Sequence, residues 1–186
     1  MALSKIDVAN MLTGATPVAN GGTALTSGFK NGMTEADCFR LLNNEDISTA
    51  SFLTDWERDD SSFSLVGTGL SHSSGAFSFP STGIYQITAH FQYASDGNDA
   101  QFSGGMIHIT TDNSSYSEDA SSYSIMYNGL SGSTEHSVAS CSTIFDVTNT
   151  TTHKFKIQAE CSHTCVLLGS SSKNMTFFTC LRLGDT

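Results

Sequence analysis

Few residues in this 186-residue chain are equipped for chemistry, and their spacing decides what they could do. In "CSHTC", Cys161, His163 and Cys165 fall at alternate positions. On a straight strand all three would face one side, as zinc ligands do, with His153 or Cys180 as a fourth. The spacing is neither C-x2-C nor H-x3-H, so the favoured reading is a tight corner at Ser162–Thr164 with the cysteines packed in the core. A disulfide across the corner is the other alternative. Two oxygen-rich stretches, "SDGNDAQ" with Asp96 and Asp99 and "TDNSSYSED" with Asp112, Glu118 and Asp119, could attract calcium. They lack EF-type spacing and read as solvated loops. No G-x-S-x-G elbow occurs, no carboxylate pair stands out, and His72, His90, His108, His136, His153 and His163 are scattered. His90 and His108 lie on strand faces that otherwise carry polar residues, which fits a surface or an interface. The glycine-rich "PVANGGTALTSG" (17–28) has its lysine too late and no strand before it, so it is not a phosphate loop. The expectation is a protein without enzymatic activity, cofactor or bound metal.

Charge narrows the partners. Eight basic residues stand against eighteen acidic ones, a formal net charge of -10. That balance argues against nucleic acid, which needs a basic stripe to displace counterions, and against anionic lipid. No apolar run approaches the length of a membrane span. The "MALSKIDVANML" start lacks the features of a signal peptide, so Sec-type export is not expected. The five cysteines are then expected to be reduced and packed as small apolar groups, with an odd one left over in any case. Without export, the sequons at Asn113, Asn149 and Asn174 carry no weight.

These residues must be positioned by strands. Only 14% of the chain is charged, so its polar surface is Ser, Thr, Asn and Gly, the habit of all-β proteins. Residues 1–50 show no sustained period of two. "LSKIDVANML" and "TEADCFRLL" read as short helices capped by Ser4 and Thr34. From about residue 51 the pattern alternates. "GIYQITAHFQY" puts Tyr85, Ile87, Ala89, Phe91 and Tyr93 on one face, and "HKFKIQAEC" does the same with Phe155, Ile157, Ala159 and Cys161. "NMTFFTCLRLG" is apolar on both faces, with Met175, Phe177, Leu181 and Leu183 on one and Phe178 and Cys180 on the other. Such a strand is covered twice, and the second cover is expected to be another subunit. Phe178 is placed in that interface, and Tyr85, Phe91, Tyr93, Phe177 and Leu181 in the interface or the core. Further strands are expected at 62–66, 75–79, 102–111, 121–127, 137–147 and 164–169. The fold class is an all-β antiparallel jelly-roll sandwich over 51–186, preceded by an extended, partly helical arm over 1–50.

"FSFPSTGIYQITAHFQY" (77–93) resembles the signature strand of the complement/tumour-necrosis-factor-like jelly roll, through Phe77, Phe79, Pro80, Gly83 and Tyr85. "MTFFTCLRLG" resembles that family's last strand and "STIFDVTNTTTHKFKIQAE" its penultimate hairpin. The resemblance covers roughly 51–186 and implies a ten-stranded sandwich assembling as a homotrimer. "TGATPVANGGTALTSG" is similar to a segment recurring in bacteriophage tail-fibre and virion surface proteins, through Pro17, Ala19, Asn20, Gly21, Gly22 and Thr23, departing at Ala24. Together they imply a virion structural protein of a tailed phage of the marine type. In that reading it is a capsid decoration, cement or head-fibre protein on the outer surface of the capsid. The arm anchors it to the major capsid protein or another virion protein, with Ile6, Val8, Met11 and Leu12 in pockets and Pro17, Asn20, Gly21 and Gly22 lying flat on the partner. The alternative is a tail-fibre or receptor-binding module whose loops near 95–101, 112–120 and 128–136 recognise a host-surface glycan. A cellular adhesion or cytokine-like ligand is remoter, for want of a signal peptide.

Overall fold

The computed structural model describes residues 33–186, apart from Ser64, Asn98 and 128–133. Fourteen strands and no helix occur among them. In chain order they are β1 (Ala36–Leu41), β2 (Glu45–Ile47), β3 (Ser51–Phe52), β4 (Trp56–Arg58), β5 (Leu65–Val66), β6 (Ser71–Ser73) and β7 (Ala76–Ser78). There follow β8 (Gly83–Ser95), β9 (Ala100–Thr110), β10 (Ser117–Met126), β11 (His136–Val147), β12 (Lys154–Cys161), β13 (Cys165–Leu167) and β14 (Phe177–Gly184).

Two antiparallel sheets face each other. The first runs β11–β8–β14–β1–β4, with β13 and β2 continuing beside the far end of β8 and β5 sharing the outer edge of β1. The second runs β10–β9–β12–β7–β6, with β3 on the same edge of β12 as β7. The alternation of β8 and β12 is realised as expected. Tyr85, Ile87, Ala89, Phe91 and Tyr93 from one sheet meet Phe155, Ile157, Ala159 and Cys161 from the other, all buried. Gly105 on β9 sets the spacing there, because a Cβ would collide with the Phe91 ring. Tyr93 crosses the sandwich and donates its hydroxyl to the Gly104 carbonyl at 2.5 Å. Tyr85, Phe91 and Tyr93 are therefore core residues of one chain.

Three expectations need correction. "TEADCFRLL" is not a helix. Its residues 36–41 form β1, buried at every position and paired with β14 on one side and with β4 and β5 on the other. The compact unit accordingly begins at Met33 rather than near 51. Phe178 is not an intersubunit residue. It has 0% exposure and sits at the centre of an aromatic cluster, with Phe77 at 4.7 Å, Trp56 at 5.1 Å and Phe155 at 5.3 Å. The faces of β14 are thus reversed: Phe178 and Cys180 point inward, and Phe177 and Leu181 stay partly exposed on the outside. The expected helix in "LSKIDVANML" lies outside the described residues.

β1 is held by charge as well as by packing. The Arg40 side chain is buried yet bonds Glu57 at 3.0 Å, Asp59 at 3.0 Å and Asp60 at 2.6 Å. Burial opposes its charge, but the bonds to Asp60 and Glu57 push its pKa above the ordinary arginine value. Asp59 also accepts from Asn174 and from the Ser61 and Ser62 amides. Burial works against its ionised form, yet these bonds hold it well below the usual carboxylate range. Asp37 takes Arg58 through both oxygens, at 2.9 and 3.0 Å, and caps the Leu70 amide at 2.7 Å.

Candidate functional site

The outer face of the first sheet is uncharged at its centre, over β8, β11 and β14, and carries the Arg40 ion pairs toward β1 and β4. Register decides what it shows. On β8 the residues between the core positions are Gln86, Thr88, His90 and Gln92. Opposite them on β11 stand Ile144, Ser142, Ser140 and Val138, and on β14 stand Leu181, Thr179 and Phe177. None of these eleven residues carries a fixed charge. Val138 and Ile144 are 68% and 65% exposed.

At the centre, the His90 ring stacks on Phe177, with centroids 4.6 Å apart and planes at 19°. Burial pushes the His90 pKa below its ordinary value, so the ring is neutral at pH 7. The pair borders an open groove of about 510 Å³, lined also by Gln92, Val138, Ser140 and Met175. Below it, Phe177, Thr179 and Leu181 border a hollow of about 360 Å³ with Met33, Phe63 and Val66, and with Asp37 and Asp59 of the ion-paired region. Thr88 and Ser142 bond each other at 2.9 Å across β8 and β11, and Ser142 donates to the Ile87 carbonyl at 3.1 Å. The Thr88 and Ser142 hydroxyls are thus satisfied within the sheet. The second sheet is different outside: β12 turns Lys154, Lys156 and Glu160 outward, and Glu118 of β10 faces His108. Depletion of charge at the centre of one face, with charged residues such as Asp146 and the Arg40 ion pairs around it, is the pattern of an interface core.

The remaining expected sites disperse. Cys161 and Cys165 are disulfide-bonded across the corner with Cα atoms 6.3 Å apart, which corrects the expectation of reduced thiols at these two positions. The physical reason is the three-residue turn, which brings the two chain ends within bonding reach. Cys38, Cys141 and Cys180 are free and buried, and burial pushes Cys38 and Cys141 up to about 11. His163 is exposed on the turn, while His153 is buried between the Thr148 and Thr152 hydroxyls. No three of the His, Cys, Asp or Glu side chains among the described residues are placed to hold a metal ion. Asp112 is bound to its own turn, accepting from the Ser114 and Ser115 amides at 2.8 Å each. Asp119 accepts from the Thr143 hydroxyl. The arm residues Ile6, Val8, Met11, Leu12, Pro17, Asn20, Gly21 and Gly22 lie outside the described residues, as do 128–133 of one candidate glycan loop.

Val138 and Ile144 were overlooked as site residues, although "VASCSTI" shows them at one parity of a strand expected over 137–147. Arg40 and Asp59 had no such signal, because their pairing depends on strands far apart in the chain.

No protein-family model matches the chain, and no curated protein matches it. Solved structures do. The Eiger TNF from S. frugiperda superposes with a TM-score of 0.61 at 12% identity, over 81% of this chain and 93% of that one. Murine APRIL at pH 5.0 gives a TM-score of 0.58 at 11% identity, over 80% of this chain and 98% of that one. At such identities the likeness shows the fold, a tumour-necrosis-factor-like jelly roll.

Proposed function

We propose that the chain is a structural protein without enzymatic activity that assembles as a homotrimer through the outer face of the first sheet. It decorates the outer surface of a virion, anchored by residues 1–32 to the major capsid protein or another virion protein. The observation that carries the assembly is the uncharged face around the His90–Phe177 stack, with Val138 and Ile144 standing exposed on the adjacent strand. Burying apolar area of this kind against a second copy contributes about 25 cal/mol per Å². The absence of fixed charge at the centre of the face removes there the desolvation cost that charged side chains would impose. The virion setting rests on the likeness of "TGATPVANGGTALTSG" to phage surface proteins. Three weak arms on one trimer would bind together with high avidity.

Light scattering and particle binding test the two parts separately. The intact protein is expected to run as a trimer and to bind particles. Deleting residues 1–32, which leaves β1 whole, is expected to give trimers that no longer bind. Truncated trimers that decorate particles as well as intact ones would refute the arm's role. A monomer at micromolar concentration would refute the assembly. Labelling at the tail, with binding on a glycan array, would favour a receptor-binding module instead.

A further inference from the structure

The outer face of the second sheet carries a corner unlike its surroundings. Tyr123 on β10, Gly104 on β9 and Glu160 on β12 stand in register in one row. A Cβ at Gly104 would collide with the Ser122 carbonyl and crowd the Tyr123 ring. The glycine therefore lets Tyr123 lie across β9 and donate its hydroxyl to Glu160 Oε2 at 3.2 Å. Burial, with that carboxylate beside it, pushes the Tyr123 pKa up to about 12, so the hydroxyl stays a donor. Phe102, on the same face of β9, meets Tyr123 at 82° with centroids 5.5 Å apart. The two rings and the carboxylate line an open hollow of about 390 Å³, and Tyr123 remains 45% exposed. Among the described residues no lysine or arginine stands beside Glu160 in the register: its neighbours there are Gln158, Ser162, Gly104 and Tyr123. Lys156, further along β12, sits over the rings of Phe52 and Tyr116 at 5.1 and 4.5 Å.

We propose that Phe102, Tyr123 and Glu160 form a binding subsite for a quaternary alkylammonium group. The exposed π surface of the two rings, set at 82° to each other, attracts a cation through its quadrupole, and Glu160 supplies the opposing charge. The chain's net charge of -10 adds to the attraction and repels anions. A primary ammonium fits worse. It is strongly hydrated and brings three donors, for which this corner offers one carboxylate and apolar walls. A methylated nitrogen has no N–H to satisfy.

Choline chloride titrated into the isotopically labelled full-length protein tests the site by amide NMR, beside its neutral isostere 3,3-dimethylbutan-1-ol. Choline is expected to shift the amides of residues 102–104, 122–124 and 160 saturably. The isostere, Glu160→Gln and Phe102→Ala are expected to weaken binding roughly five- to thirty-fold, the range that a cation–π and charge contribution of this size spans. Glu160→Gln keeps the shape of the corner and an acceptor for Tyr123, so its loss of binding would report charge. Equal shifts from the isostere, no localised shift from choline, or stronger shifts of the same amides by a methyl glycoside would each overturn the proposal.

Discussion

Phe178 and its neighbour Phe177 differ by one position and have opposite roles. Phe178 fills the centre of the sandwich, so Phe178→Ala is expected to cost about 3–5 kcal/mol, read from the urea midpoint. Loss of folding, rather than clean dissociation into folded monomers, is the expected result for Phe178→Asp. Asp59 sets a second residue-scale outcome. Its folded pKa is depressed, so the stability it contributes is complete above its unfolded value of about 4 and is lost as pH falls toward the folded value. Asp59→Asn is expected to lower stability at pH 7 by about 2–3 kcal/mol and to flatten the acid limb, measured as urea midpoints from pH 7 to pH 3. A wild-type acid limb no steeper than that of Asp59→Asn would disprove the role. Neither residue announced itself in the sequence. "FF" on a strand apolar on both faces leaves inward and outward undecided, and only its register against β8 settles the matter. A buried arginine paired with loop carboxylates some twenty residues away leaves no periodic trace.

At the scale of elements, legibility followed burial. β8, β11 and β12 each bury one face, so their apolar residues alternate and the strands could be read directly. β1 buries every residue, which erases the period of two, while Thr34 with Asp37 three positions on imitates a helix start. The short strands β2 to β6 hold two or three residues each, too few to show a pattern. The disulfide belongs to this scale, since it links β12 of one sheet to β13 of the other. A loop this short removes little entropy from the unfolded chain. Cys161→Ala with Cys165→Ala is expected to cost about 2 kcal/mol, measured by denaturant titration, with the fold retained. Complete unfolding of the double variant at 25 °C would show that the corner needs the covalent link.

The first sheet presents an outer surface that is uncharged at its centre over β8, β11 and β14 and charged toward β1 and β4, where Arg40 pairs with Glu57 and Asp60. The assembly proposed for the whole molecule inherits the chemistry of His90. Burial already lowers that ring's pKa, and a second copy over the face would lower it further. Association is therefore expected to be complete above the ordinary histidine value of about 6.5 and to weaken as pH falls through the depressed one. Sedimentation across pH 7.5 to 4.5 checks this, and His90→Gln is expected to remove the dependence. Val138→Asp with Ile144→Asp places two charges on exposed positions of the same face. It is expected to leave the thermal unfolding of the single chain nearly unchanged while the mass in light scattering falls to that of a monomer.

β1 completes the first sheet by pairing with β14, and the Arg182 amide donates to the Glu35 carbonyl at 2.9 Å. The sandwich therefore cannot close until residues near 184 have left the ribosome, and its folding is dominated by contacts of very long sequence separation. Slow folding, on the order of milliseconds to seconds, follows from such topology, and the aromatic core stays open to solvent until β14 has emerged. The same adjacency makes the protein a natural candidate for circular permutation. A short linker from Gly184 to Glu35, with new ends opened in the 112–115 turn, would preserve every strand pairing while letting β1 and β14 emerge as one hairpin.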